Sequence, residues 1–479
     1  MKTGILNKKE FGDFQTPYYF ALQVCEKLKT MGIEADSIIE PTCGIGAFVL
    51  ASRKTFPTAK IFASDINPSY LKQLINSLSN TDTHYISTQS ADFFSMNWND
   101  KMAGTNGRLL ILGNLPWVTN TALGKLGSQN LPQKNNFLKF KGLDALTGKA
   151  NFDISESMLT QILSALDHKK ATIAMLVKTA VARKIIAFSK ENKIPIVQAS
   201  LFKINAKKIF NAHVDACLMV IAVDPTRTAS YDYFIYDGID DFDYTKTGYR
   251  DGLNISNLDD YQQFKNLLGV SHIKWRSGIK HDLSAVMELT RDVNGYINGL
   301  NEPVDIEAEL LYPLMKGSDV GSNKAWRNKF VIVTQKNTGM DTSYIKDKYP
   351  KAWKYLLSHS EKLDARASRI YKNNSRFSIF GVGDYSFKNW KIAICSLYKD
   401  LSFRLVHPIE EKPVQFDDTV YFLSFDSQEE AEKAYAYLTS DAVKKILNSL
   451  IFWDDKRPIK TSILNLLKWE HVAQKPTHL

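Results

Sequence analysis

Apolar positions in roughly the first half of the chain alternate between a strand-like and a helix-like period. Thr16-Pro17 caps and starts a helix, with Pro17 at its first position, and Phe20, Val24 and Leu28 then recur at every fourth residue. A short apolar strand, Ser37 to Glu40, runs into a glycine-containing turn and a second helix. KIFASD, Lys60 to Asp65, reads as the next strand, followed by a helix from Ser69. A further segment ends at Asp92, and RLLILGN, Arg108 to Asn114, is another strand. Helix-like DISESMLTQILSAL and strand-like ATIAMLV and ACLMVIAV complete the alternation. That is the pattern of an α/β domain built on a largely parallel, Rossmann-like sheet.

The pattern changes after Val223. DPTRTAS and DGIDDFDYTKTGYRDG carry turn residues and no long period, so a domain boundary is expected between Asp224 and Gly269; we place it at 265/266. Beyond it, short β-like runs (KFVIVTQ, NWKIAIC, VYFLSF) mix with helices, which predicts a second α/β domain over 266–479.

Charge adds a partner class. Lys and Arg number 61 against 51 Asp and Glu, a formal net charge of +10, which suits an acidic polymer. The four cysteines, Cys25, Cys43, Cys217 and Cys395, lie far apart, so neither a zinc site nor a disulfide framework is suggested. The start of the chain lacks the apolar core of a signal peptide, and no apolar run approaches the roughly 20 residues that span a bilayer. These features predict a cytoplasmic protein with no membrane partner.

Two short segments carry candidate chemistry. In Glu40-Pro41-Thr42-Cys43-Gly44-Ile45-Gly46-Ala47-Phe48, two glycines let the backbone approach a bound small molecule. Val49 stands where a dinucleotide fingerprint needs its third glycine, and the GK[ST] of a phosphate loop is missing. Asp65 ends the second strand, where a carboxylate can accept from two ribose hydroxyls, and Asp92 ends the third, where it can accept from an adenine amino group. Three carboxylates around one crevice would repel a polyphosphate and suit a ligand with a sulfonium and a free amine. The second segment, Asn114-Leu115-Pro116-Trp117, follows an apolar strand directly. A ring-conjugated NH2 is a poor nucleophile. Two acceptors on its hydrogens, the Asn114 side-chain oxygen and the Leu115 carbonyl, would draw its nitrogen toward sp3. Pro116 fixes the turn, and Trp117 offers a face for stacking.

These residues resemble the amino-group DNA methyltransferases of bacterial restriction–modification systems, in the order of their gamma group. GDFQTP (Gly12 to Pro17) is similar to the motif that holds the methionine part of S-adenosylmethionine, which nominates Gln15 and Thr16. EPTCGIGAF is similar to the cofactor loop, nominating Glu40, Thr42, Cys43, Gly44 and Gly46. ASDIN resembles the ribose-binding strand end (Asp65, Ile66), and ADFF the adenine-binding one (Asp92, Phe93). GNLPW resembles the catalytic motif, with Asn114 also lining the cofactor site. IFNAHVDACLMVI is similar to the motif whose aromatic residue packs on a flipped base, which nominates Phe210. WRSGIKHD, FGVGDYSF and FWDDKRP resemble segments of the family's recognition domains.

The resemblance implies a methyltransferase domain over 1–265, a DNA recognition domain over 266–479 and methylation of adenine N6 in double-stranded DNA. A separate cognate restriction endonuclease is a possible partner, and no metal is required. Leu115 replaces the family's usual proline, as in ribosomal RNA adenine dimethyltransferases, which leaves RNA as an alternative substrate. A catalytically silent DNA-binding subunit is a second alternative, opposed by the complete series Glu40, Asp65, Asp92, Asn114. Candidate DNA contacts are Arg276 and Lys280 beside Trp275, Arg366, Arg369, Lys372 and Arg376 around Tyr371 and Phe377, and Lys456 and Arg457 after Trp453.

Overall fold

The computed structural model describes residues 14–118 and 153–469. The chain forms two compact units, Met1–Asn254 and Ile255–Leu479. The division lies upstream of the expected 265/266. Ser256 and Asn257 donate their amides to the Ser449 carbonyl, and helix Leu258–Phe264 packs on helix Asp441–Leu450, so this stretch belongs to the second unit.

The first unit is organised by one sheet. Its strands are β1 (Ser37–Glu40), β2 (Lys60–Asp65), β3 (Ile86–Ser90), β4 (Leu109–Asn114), β5 (Ala171–Lys178), β6 (Ile196–Ile204), β7 (Ala216–Val223), β8 (Tyr233–Tyr236), β9 (Tyr244–Arg250) and β10 (Leu253–Ile255), in the order 10-9-8-6-7-5-4-1-2-3. Strands β3, β2, β1, β4 and β5 are mutually parallel, and β7 runs antiparallel between β5 and β6. Parallel strands are buried on both faces, which is why β1 is buried throughout and β4 opens on the apolar run Leu109–Leu112. Ile38, Leu110 and Leu112 enter one core, and Ile39, Leu109 and Ile111 enter the other, by the twofold alternation of strand side chains. The order reverses between β1 and β4, the topological switch point at whose carboxyl edge open α/β sheets bind ligands.

Helix α1 (Tyr18–Thr30) begins one residue later than the sequence suggests. Pro17 is its extended N-cap rather than its first turn, and no side chain caps it. Thr16 is thereby left to bond elsewhere. Helices α2 (Ala47–Thr55) and α3 (Pro68–Ser77) follow β1 and β2.

The second unit carries two smaller sheets. One has six strands: Pro303–Val304, Gly295–Asn298, Glu288–Asp292, Lys329–Ile332, Leu311–Met315 and Gln415–Phe416, in that spatial order. The other has four: Arg276–Ser277, Val420–Phe425, Trp390–Cys395 and Arg404–Val406. Helix Gln428–Thr439 packs on the four-stranded sheet, giving the mixed α/β character expected of this half.

Candidate active site

The loop after β1 is shaped by two glycines in left-handed conformations, Gly44 at φ +52° and Gly46 at φ +88°. A Cβ at Gly46 would stand 2.3 Å from Leu74 Cδ1 of α3, and one at Gly44 would stand 2.5 Å from Gln15 Oε1. The backbone turns tightly before α2, and each amide from Cys43 to Gly46 is hydrogen-bonded within the protein. Gly44 donates its amide to Asp65 Oδ2 at 2.8 Å, and Asn67 donates to Oδ1 at 2.8 Å. Ile45 donates to Gln15 Oε1 at 3.1 Å, and Cys43 to the Ser64 carbonyl at 2.8 Å. Asp65 is thus also a structural tie between the ends of β1 and β2, a role that its position in the sequence did not suggest.

Glu40 closes β1 at only 2% exposure, and its Oε2 is buried without a hydrogen-bond partner. Burial and the neighbouring Asp65 charge push its carboxyl well above the usual range, against the Val49 amide that bonds to it. Burial also pushes the Cys43 thiol up, and Thr42 donates its hydroxyl to the Asn114 carbonyl at 3.4 Å. Exposed Ile66 (47%) and Ile45 (38%) give the crevice apolar edges. Asp92 caps the turn after β3, taking the Phe94 amide on Oδ1 at 3.0 Å, while Phe93 is buried against Trp98 with ring centroids 4.8 Å apart.

Asn114 ends β4 beside this loop. Its Nδ2 donates to the Phe14 carbonyl at 3.1 Å and to Thr16 Oγ1 at 3.3 Å, while Oδ1 is buried and unpartnered. Leu115 and Trp117 are buried; the Trp117 indole donates to the Leu176 carbonyl at 3.3 Å. Its ring meets Phe210 edge-on, centroids 5.1 Å apart at 75°, and Phe14 at 5.6 Å. The Lys178 ammonium binds the Trp117 carbonyl at 3.2 Å and Asp153 at 2.5 Å, fixing the segment after Pro116. Phe14, Lys178 and Asp153 escaped the sequence reading. Phe14 lies inside the GDFQTP segment, but its contacts are a hundred positions away in the chain. Gly12 and Asp13 of that segment lie outside the described residues.

An orphaned buried carboxyl, a carboxylate tied to the loop and a third at the adjoining strand end form a set of hydrogen-bond acceptors. It fits S-adenosylmethionine, whose amine, sulfonium, hydroxyls and adenine amino group are all cationic or donating. Among the described residues no group of three or more His, Cys, Asp or Glu is arranged to hold a metal ion. No described helix is long and apolar enough to cross a membrane.

In the second unit, WRSGIKHD and FGVGDYSF meet. Lys280 and Phe380 exchange backbone hydrogen bonds of 2.9 and 3.0 Å, and Arg276 lies over the Tyr385 ring at 5.1 Å. FWDDKRP joins them through Arg457, 3.6 Å from Asp418, next to the Asp417 that bridges to Ile279. Arg276, Arg369, Lys372 and Lys456 are exposed; Lys280 pairs with Asp282 at 2.9 Å and Arg376 with Asp364 at 2.5 Å. Arg366 must be removed from the candidate contacts. It is 6% exposed, donates to the carbonyls of Leu363, Ser378, Arg376 and His281, and stacks on Tyr371 at 3.7 Å. Trp275, Tyr371 and Phe377 are likewise core residues rather than a surface platform.

No family model matches the chain. It is 47% identical over 472 residues to the Type II methyltransferase M.NspV of Nostoc sp. (strain ATCC 29411 / PCC 7524), covering 98% of each chain. Among solved structures it is similar to the Type IIL restriction-modification enzyme MmeI in complex with DNA, with a TM-score of 0.51 and 14% identity. That match covers 93% of this chain and 63% of the other, and it speaks for the fold alone. With near-complete coverage at 47% identity, the chain belongs to the Type II methyltransferases, the DNA-modifying enzymes of restriction–modification systems.

Proposed function

We propose that the chain methylates the exocyclic N6 of an adenine swung out of duplex DNA, at a specific sequence. The observation that carries this reading is Asn114 Oδ1, a buried acceptor with no partner, at the ligand-binding edge of the sheet. A buried orphan acceptor is costly unless a bound group satisfies it, and an amino hydrogen of the target base would do so.

S-adenosylmethionine supplies a methyl group on a positively charged sulfur. Glu40 and Asp65 would hold its amine and ribose, with Gln15, Thr16, Thr42 and Cys43 around the loop. Ile66, Asp92 and Phe93 would receive its adenine. Asn114 and the Leu115 carbonyl would take the two hydrogens of the target amino group and aim its lone pair. Trp117 would stack on the base, with Phe210 at its edge. The C5 chemistry of cytosine needs an exposed thiolate, whereas Cys25, Cys43, Cys217 and Cys395 are all buried.

The second unit would read the sequence, through Arg276, Lys280, Arg369, Arg376, Lys456 and Arg457. Family membership favours DNA over the RNA that Leu115 left open, and MmeI is itself bound to DNA in its structure. A separate endonuclease would complete the restriction–modification pair. Long-read sequencing of unmodified duplex DNA treated with the purified protein tests the reading. N6-methyladenine within one short motif is expected; N4-methylcytosine, C5-methylcytosine or transfer to RNA alone would overturn it.

A further inference from the structure

Asn114 offers two chemically opposite ends to the target site. Only its oxygen can accept an amino hydrogen; its NH2 would oppose the amino group donor to donor. Rotation of the carboxamide by half a turn exchanges the two at almost no intrinsic cost, so something else must choose between them. The Phe14 carbonyl makes that choice and Thr16 holds it, since a hydroxyl could bond either end of the carboxamide. The Phe14 carbonyl, an acceptor only, takes Nδ2 at 3.1 Å, and Thr16 Oγ1 takes it at 3.3 Å. In the rotated state Oδ1 would face the Phe14 carbonyl, acceptor against acceptor. Thr16 is 9% exposed, so water does not replace it readily. Gln15, between the two, holds the Ile45 amide instead, which anchors the segment to the cofactor loop.

We infer that Thr16 is a positioning residue for methyl transfer: it holds the Asn114 carboxamide in the orientation that the Phe14 carbonyl selects, so that Oδ1 meets the target amino group. This goes beyond the cofactor contact expected of the segment, and it rests on the amino-group reading proposed above. A residue that only touched cofactor would act through affinity. A residue that orients Asn114 acts on the chemical step with cofactor already bound.

Full-length Thr16→Val and Thr16→Ser separate the two. Thr16→Val keeps the branched shape and loses the acceptor; Thr16→Ser keeps the hydroxyl. Binding of S-adenosylhomocysteine is measured by calorimetry, and methylation of a duplex carrying the site is measured in a single turnover at saturating cofactor. For Thr16→Val the rate at saturating cofactor should fall about tenfold, the scale of one net hydrogen bond, over and above any change in affinity. Thr16→Ser should restore most of that rate. A normal Thr16→Val rate at saturating cofactor, or a Thr16→Ser as slow as Thr16→Val, would each overturn the positioning role. Asn114→Ala is run beside them. An active Asn114→Ala sinks the amino-group reading itself, whereas a normal Thr16→Val beside an inactive Asn114→Ala sinks only the inference.

Discussion

The amide of Gly44 donates to Asp65 Oδ2 at 2.8 Å, so the turn after β1 is pinned to the end of β2. The bond needs Gly44 at φ +52°, a region that costs an L-residue roughly 1–2 kcal/mol. A Cβ there also meets the Gln15 side chain, which holds the next amide in the loop. One position therefore controls the backbone turn, the carboxylate and the segment that reaches Asn114.

Gly44→Ala should lower S-adenosylmethionine affinity more than it lowers stability. The melting temperature should move by an amount set by about 1–2 kcal/mol. Calorimetric affinity should fall at least tenfold, because the turn that shapes the site is displaced. An affinity unchanged from the parent would separate the loop from the cofactor site.

Asn114→Ala and Trp117→Ala should fail at different stages. Loss of the Asn114 acceptor should raise the barrier of the chemical step by about 2.7–4 kcal/mol, by analogy with an oxyanion-hole donor, with cofactor and DNA affinity nearly intact. Loss of the Trp117 ring should instead weaken the flipped state by about 1–3 kcal/mol. A 2-aminopurine at the target position should brighten on binding to Asn114→Ala and brighten less with Trp117→Ala. Equal brightening would remove Trp117 from the base pocket.

Glu40 gives a pH dependence. Its folded, cofactor-free carboxyl titrates well above the usual range because burial and Asp65 disfavour its charge. The folded state therefore holds this proton more tightly than the unfolded chain. The stability it contributes is complete below the unfolded carboxylate value and is lost as pH rises through the raised one. Glu40→Gln, which cannot ionise, should melt higher than the parent at about pH 8, with a smaller difference at about pH 5. It should also bind S-adenosylmethionine more weakly. A melting difference independent of pH would show that Glu40 carries no strained charge.

Two arginines close in sequence should behave oppositely. Arg366→Ala strands buried carbonyls and should cost about 2–3 kcal/mol of stability. Exposed Arg369→Ala should change stability by less than about 0.5 kcal/mol. It should weaken DNA binding and lower the slope of log affinity against log salt by about one. Urea unfolding and binding titrations at several salt concentrations measure both. A DNA defect in well-folded Arg366→Ala, with Arg369→Ala normal, would reverse the assignment.

The strands β1, β2 and β7 and the order loop, carboxylate, candidate tetrapeptide were legible in the sequence by itself. Each depends on local causes: a twofold or fourfold apolar period, a glycine at a turn, a proline at a helix start. The candidate residues Glu40, Asp65, Asp92 and Asn114 followed, because strand ends converge at the carboxyl edge of any parallel sheet. Tertiary structure decided what depends on distant neighbours. Phe14 and Thr16 hold Asn114 across about a hundred residues of chain, and nothing in the spacing of GDFQTP announces an acceptor for that carboxamide. Nor does the spacing of Arg366, Arg369 and Arg376 say which faces solvent. One is bound by four carbonyls, one is paired with Asp364, and one is exposed. A cation's availability is set by whichever acceptors the fold brings to it, and those come from other segments of the chain.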